Sequence, residues 1–229
     1  MLTGLEQYYW EKAGYFIRRQ ALSPEEVSSC LKSLKRLSRE RRTFSIETLP
    51  AHCLLAMGNP TVLGIIKDLL EPGRRFHHAA LQANVGEERI PGTWTRDMLP
   101  EGNPLQAQDA VLQRHQGCLT IRLAFSLDES LHVVPGSYVS PLPPEQIATL
   151  TADPHSDLEG AVCMRLAPGD ALFYNPNLIH RTEINPAVST CALEYAWVAH
   201  HHPFAAALPT SLKLTPIDRL LSAVIHFFS

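Results

Sequence analysis

A mainly β fold with helices packed around it is what this sequence predicts, on three observations. From residue 75 onward, short runs rich in β-formers are punctuated by Pro, Gly and Asp: 76–85, 118–126, 131–134, 161–166, 171–174 and 190–199. Helical patterns precede and follow these runs instead of alternating with them. Strands of that length, grouped rather than interleaved with helices, close into a barrel or a sandwich. The length of 229 residues suits one domain with a sizeable core. Its expected parts are helices and a first strand over 1–74, a barrel core over 75–200 and a helical extension over 203–229.

Leu5 to Tyr15 carries apolar and aromatic residues at loosely helical spacing and stops near Gly14, after which Gly14-Tyr-Phe-Ile17 reads as a short strand. Ser23-Pro24-Glu25-Glu26 is a helix start. Ser23 can cap exposed amides, Pro24 suits the first helical position, and Glu26 stands where a capping box needs it. Val27, Cys30, Leu31, Leu34 and Leu37 then form one apolar stripe. A second helix starts near Asn59-Pro60 and ends before Pro72-Gly73, with Val62, Leu63, Ile66, Leu69 and Leu70 inward. Residues 88–116 are rich in Pro, Gly, Asn and Gln with little periodicity, the pattern of a lid or other functional loop. One short helix, Pro144–Leu150, lies within 141–159. Thr215-Pro216-Ile217-Asp218 starts a last helix whose stripe of Leu220, Leu221, Val224, Ile225 and Phe228 has to cover the barrel wall or a second subunit.

The balance of 45% hydrophobic and 19% charged residues, with a net charge of −3, points to a soluble globular protein and to neither a nucleic-acid nor a membrane partner. The most basic stretch, Lys32 to Arg42, is broken by Leu34, Leu37 and Glu40 and reads as the solvated face of a helix. Five cysteines, none in CxxC spacing, argue against a disulfide framework or structural zinc and for a reducing compartment. The N-terminus lacks the basic start and apolar run of a signal peptide, and no apolar stretch reaches membrane-spanning length. The expected compartment is the cytoplasm.

Four stretches carry a more specific signal. They are Tyr9-Trp-Glu-Lys-Ala-Gly-Tyr-Phe-Ile17 with Leu22-Ser-Pro-Glu-Glu26, then Trp94-Thr-Arg-Asp97, then Leu131-His-Val-Val-Pro-Gly-Ser137, and finally Pro168-Gly-Asp-Ala-Leu-Phe-Tyr-Asn-Pro-Asn-Leu-Ile-His180 with Asn185 following. In that order they resemble the phytanoyl-CoA dioxygenase family of Fe(II)/2-oxoglutarate-dependent oxygenases. The resemblance spans most of residues 5–198 and implies a double-stranded β-helix core, a jelly roll of the cupin kind. It also implies a chemistry. Two imidazoles and one carboxylate on one face of an octahedral Fe(II) leave three positions for 2-oxoglutarate and oxygen. An Arg about ten residues beyond the distal histidine grips the far carboxylate of 2-oxoglutarate, because a guanidinium fork matches it.

Carried onto this chain, Asp97 matches the carboxylate ligand and His180 the distal histidine. Both are therefore expected as metal-binding and catalytic residues, with Fe(II) and 2-oxoglutarate as the implied cofactors. Thr95 occupies the place of the first histidine, and a hydroxyl is a poor ligand for Fe(II). Thr190 and Cys191 stand where the arginine belongs, with no Arg or Lys between Thr182 and Tyr195, so Thr190 is what remains at the co-substrate anchor. Tyr138 stands where the family commonly has His.

Two kinds of compensation are open. On the strand 118–126, alternation puts Thr120, Arg122 and Ala124 on one face and Leu119, Ile121 and Leu123 on the other. If the aliphatic face is the packed one, Arg122 points into the cavity. There it could clamp 2-oxoglutarate in a new pose or an anionic substrate; the plain alternative is a salt bridge to Asp97 or Glu194. For the missing imidazole the candidates are His77, His78, His115 and His132, each more often a hydrogen-bonded or surface histidine. His200-His201-His202 reads as an exposed run. Trp94 and Tyr174 are as much packing residues as cavity residues.

Three readings follow. One is an oxygenase-fold enzyme acting on a small, mainly apolar molecule through an atypical iron site. A second is a redox-neutral isomerase, cyclase or lyase using Asp97, His180 and Arg122 as acid, base and anion clamp. The third is a binding protein or inactive subunit that pairs with itself or a related chain through the C-terminal helix.

Overall fold

The computed structural model describes residues 1–34, 42–44, 49–70, 75–83, 91–97, 112, 117–185 and 189–198, with the backbone alone for 42–44, 75–79 and 81–83. The expected C-terminal helix, the triple histidine, His115 and most of the 88–116 loop lie outside the described residues.

Helix α1 (Gly4–Ala13) starts in a capping box: Thr3 accepts from the Glu6 amide, and Glu6 accepts from the Thr3 amide. It ends at Gly14, whose φ of 79° is left-handed and suits glycine. Strand β1 (Tyr15–Arg18) follows. Helix α2 (Pro24–Leu34) repeats the start signal, with Ser23 and Glu26 capping one another, and buries Val27, Cys30 and Leu34. After strand β2 (Arg42–Phe44) come α3 (Ala51–Met57) and α4 (Pro60–Leu69), the latter capped by the Asn59 side chain on the Thr61 amide. The sequence did not announce α3, which is short and has no side-chain cap.

The remaining elements are β3 (Arg75–Ala83), β4 (Cys118–Ala124), β5 (Leu131–Val133), α5 (Pro144–Ala152), β6 (Val162–Cys163), β7 (Ala171–Tyr174), β8 (His180–Thr182) and β9 (Cys191–Val198). They form a six-stranded sheet in the order β1-β7-β4-β9-β3-β2 and a three-stranded sheet in the order β6-β5-β8, antiparallel throughout. The strand expected over 161–166 shrinks to two residues. Beyond it only an isolated bridge, Leu166 to Asp128, continues the pairing, while Met164 and Leu166 turn into the interior.

Two cores flank the large sheet. On its outer face Leu119, Ile121, Leu123, Phe173, Leu193 and Trp197 pack against α2, α3 and α4 in one continuous cluster. At about 1.5–3 kcal/mol for each fully buried large aliphatic, this layer is the main hydrophobic contribution to stability. On its inner face Ala124, Leu172 and Tyr174 meet Leu131, Val133, Met164, Leu166 and Leu178, closing the space between the two sheets. The aliphatic residues of β4 do face the helices, so Arg122 faces the interior. Among the described residues no helix is long and apolar enough to cross a membrane.

Candidate active site

The segment Gly92 to Asp97 runs beside the end of β8. Thr95 and His180 exchange both backbone hydrogen bonds, at 2.8 and 2.9 Å, and the Asp97 amide donates to the Pro176 carbonyl at 3.0 Å. Glycine is required at 92 by close approach, since a Cβ there would run into the Thr182 carbonyl. Arg96, between the two motif residues, is buried and donates to the carbonyls of Ser137, Ser140 and Asn177. It ties the site segment to the Pro-Gly-Ser turn and to the loop before His180. Its burial draws the guanidinium pKa down to about 10. Trp94 donates its indole N–H to the Ser156 carbonyl, and the Arg181 guanidinium lies 4.7 Å from its ring centroid, which makes Trp94 a packing residue of this wall.

These ties bring Asp97 and His180 together. Asp97 Oδ1 lies 3.1 Å from His180 Nε2. The other ring nitrogen, Nδ1, is 2.9 Å from the Leu178 carbonyl, so it carries the proton in the neutral ring and leaves the Nε2 lone pair facing Asp97. Burial disfavours the imidazolium, but the adjacent Asp97 carboxylate outweighs it and raises the His180 pKa to about 9. The Tyr174 ring meets the imidazole edge-on at 5.8 Å.

Thr95 does not join them. Its side chain is exposed and its hydroxyl makes only a long 3.4 Å contact to the Arg96 carbonyl. Two ligands at right angles, each about 2.1 Å from one ion, stand about 3.0 Å apart. The Asp97–His180 spacing therefore fits two adjacent ligand positions. Among the described residues no group of three His, Cys, Asp or Glu is placed to hold a metal. His132 is not the replacement imidazole. It sits opposite Arg181 and Cys163, whereas its neighbour Val133, fully buried in the interior, is the residue opposite His180. His77 and His78 lie on β3, His78 opposite Ala196, and their side chains fall outside the described residues.

Arg122 is wholly buried and fully engaged. Its Nε donates to Asp128 at 2.7 Å, one terminal nitrogen to Glu194 at 3.0 Å and the other to Ser130 at 2.8 Å. Asp128 accepts in addition from the Ser130 amide and hydroxyl. Burial opposes ionisation of Asp128, yet the Arg122 charge prevails and holds its carboxyl below the usual range. Of the two partners weighed from the sequence Glu194 is one, Asp97 is not, and Asp128 had no signal. Acting as an anion clamp would require a ligand to displace Glu194. Every other arginine whose side chain is described is likewise held: Arg18 by Glu6, Arg19 by Asp170, Arg165 by Glu129, Arg181 by Asp157, and Arg96 by carbonyls. Thr190 is buried and lines a separate cavity of about 170 Å³ with Glu129, Ser130, His132, Cys163, Glu183 and Asn185, a lining that includes neither Asp97 nor His180. The donors for iron are thus present in part, and 2-oxoglutarate meets no available guanidinium among the described side chains.

Sequence reasoning left out one hydroxyl and one contact. Thr120 pairs with Tyr174 across β4 and β7 and both are buried; the Thr120 hydroxyl has no hydrogen-bond partner, while the Tyr174 phenol lies against the Glu194 carboxylate. A buried hydroxyl without a partner costs about 1–3 kcal/mol. Burial, with Glu194 and Asp97 nearby, pushes the Tyr174 phenol well above its ordinary pKa. The sequence signs were that Thr120 shares a face with Arg122 and that Tyr174 flanks the His180 motif.

Comparison with known proteins agrees with this architecture. In solved structures the chain is similar to HygX from Streptomyces hygroscopicus with iron bound (TM-score 0.69, 15% identity, 88% of each chain covered). It is similar to EctD from S. alaskensis with 2-oxoglutarate and 5-hydroxyectoine (TM-score 0.67, 16% identity, 88% of this chain and 77% of that one). A third is the non-heme alpha ketoglutarate dependent carbocyclase SnoK from nogalamycin biosynthesis (TM-score 0.65, 16% identity, 90% and 91% covered). At these identities the likeness is one of fold, the jelly roll of iron and 2-oxoglutarate oxygenases. Comparison with curated proteins by sequence gives no match. The phytanoyl-CoA dioxygenase profile matches residues 10–187, from the first helix past the Asp97–His180 pair, and the chain belongs to that family.

Proposed function

We propose that this chain is an enzyme of the non-haem iron oxygenase fold that acts on a small, mainly apolar molecule, holding a divalent metal through Asp97 and His180. The observation that supports this reading is the 3.1 Å approach of Asp97 Oδ1 to His180 Nε2, with Nδ1 tied to the Leu178 carbonyl. When bound, iron supplies a Lewis acid and a redox centre. The chain does the rest. Leu178 fixes the tautomer that presents Nε2, and Asp97 offers a charged oxygen beside it. Tyr174 walls one side of the imidazole, and Leu131, Val133, Leu172 and Leu178 keep water from the interior. With Thr95 turned to solvent, Arg122 saturated and Thr190 lining a separate cavity, the described side chains offer 2-oxoglutarate no anchor of the family's usual kind.

The test is metal content as purified, paired with an anaerobic thermal-shift titration of Fe(II) and Mn(II), then of 2-oxoglutarate. A ligand of the folded state must raise Tm with its concentration. The metal response should appear in the native protein and vanish in Asp97→Ala and His180→Ala. A metal-free protein whose Tm neither ion moves would end the reading.

The same pair supports a second reading, a redox-neutral acid–base enzyme, because a histidine with a fixed tautomer beside a carboxylate can shuttle a proton unaided. Turnover that survives chelator and exclusion of oxygen would select it.

A further inference from the structure

We infer that the chain has a second ligand site, on the outer face of the small sheet, which takes a small organic cation with N–H donors through the Glu183 carboxylate and the Thr190 hydroxyl. Neither Asp97 nor His180 lines it, so the inference does not rest on the metal reading.

Strand pairing sets the place. Val133, opposite His180, belongs to the interior cluster, so its neighbour His132, opposite Arg181 and Cys163, points away from the interior. Glu183, two residues beyond Arg181, falls on that same outer face. Its Oε2 lies 3.7 Å from the Arg181 guanidinium and 3.9 Å from His132 Nδ1, and its side chain keeps 8% exposure. Ser130, before β5, and Thr190, before β9, complete the wall of the cavity of about 170 Å³. That is the scale of the ~150 Å³ cavity that accepts benzene in a protein interior. A guanidinium or ammonium group on a short tail fits such a space.

Two independent features make it a receptor. The first is charge. The lining holds two carboxylates, Glu129 and Glu183, and neither Lys nor Arg. The cations around it are committed: Arg165 to Glu129, Arg181 to Asp157, and Arg122, behind Ser130, to Asp128 and Glu194. Even a protonated His132 would leave these carboxylates in excess. The Cys163 thiol registers the imbalance. Burial, then the Glu129 and Asp128 charges, raise its pKa above the ordinary value, Glu183 adds to the rise, and Arg165 does not offset them. The second feature is Thr190. It is 5% exposed and lines the cavity, yet its hydroxyl makes no hydrogen bond among the described residues. Buried polar groups are satisfied almost everywhere in folded proteins, so this oxygen is an acceptor awaiting a donor. No three His, Cys, Asp or Glu among the described residues are placed to hold a bare metal ion, which favours an organic cation. An ammonium or guanidinium brings several N–H donors and no acceptor, and its hydrogen bonds to a carboxylate are charge-assisted.

The test titrates propylguanidinium, propyltrimethylammonium (equal charge, no N–H) and butyrate at neutral pH by calorimetry, with Tm followed in parallel. Propylguanidinium should bind about tenfold tighter than propyltrimethylammonium, and butyrate should not bind. Glu183→Gln should weaken propylguanidinium about tenfold and Thr190→Val about threefold. Thr190→Val keeps the shape of the wall and carries the test if Glu183→Gln does not fold. Asp97→Ala should bind propylguanidinium like the native protein; a loss there would move the ligand to the metal pair and overturn the inference. No propylguanidinium binding, butyrate binding as tight, or native-like binding in both cavity variants would overturn it as well. So would Zn(II) binding that Glu183→Gln abolishes with no organic cation bound, which would make the cavity a metal site.

Discussion

The interior of this barrel holds two polar centres that differ in almost every physical respect. The Arg122 centre is closed: a fully buried guanidinium, two carboxylates and a serine satisfy one another, and its ionic partner Asp128 is almost wholly buried. The Asp97–His180 centre is open: one hydrogen bond joins the pair, and Asp97 keeps 32% of its side-chain surface. Polar groups that complete each other specify structure, whereas groups left reaching toward solvent are available for chemistry. The two positions that match the family's metal ligands, Asp97 and His180, meet at the open centre. The closed one holds Arg122, the residue whose position on β4 suggests an anion clamp and whose partners leave it no free donor for one.

Breaking the closed centre should cost most. Arg122→Ala leaves Asp128 buried and unpaired and should destabilise by about 3–5 kcal/mol in urea unfolding; a loss under about 1 kcal/mol would remove the distinction between the two centres. Asp128→Asn should cost less, about 1–3 kcal/mol near neutral pH, and should change the acid limb. A carboxyl held below its unfolded pKa contributes stability above that value and loses it as pH falls through the folded pKa. The native protein should therefore weaken below about pH 4, and the variant should show a flatter acid limb.

The open centre should respond on the other side. His180, raised to about 9, contributes stability that is fully present below its unfolded pKa and fades as pH climbs through 9. Asp97→Asn should abolish that alkaline loss and lower neutral-pH stability by about 1–3 kcal/mol. An unchanged alkaline limb in that variant would mean that the pair is not coupled. Smallest of all in stability, within about 0.5 kcal/mol, should be Thr95→His, which restores the motif's second imidazole and third ligand. Its measurable effect should be a larger Mn(II)-induced rise in Tm than the native protein shows.

Much of the fold was readable in the residues. Ser23 with Glu26, and Asn59 with Pro60, are local start signals that act wherever the chain goes, and both helices begin there. The alternation along 118–124 correctly separated the helix-packed face from the interior. The misses share a cause. Helix α3 has no cap and seven residues, and the strand expected over 161–166 pairs for only two, so tertiary contact decides both. At the site, the family resemblance singled out Asp97 and His180; their contact is set by the pairing of Thr95 with His180, which nothing along the sequence marks. Asp128 was invisible because it reaches Arg122 from the chain beyond the strand's end, and no pattern along the sequence marks an ion pair six residues apart across a turn.

Thr95 holds its place in the sheet through its amide and carbonyl, while its side chain reaches only a weak contact at the surface. What occupies that position is thus uncoupled from what shapes the pocket. Exchange of one side chain there costs folding little, so the ligand set at this corner can change while the backbone that frames it stays as it is.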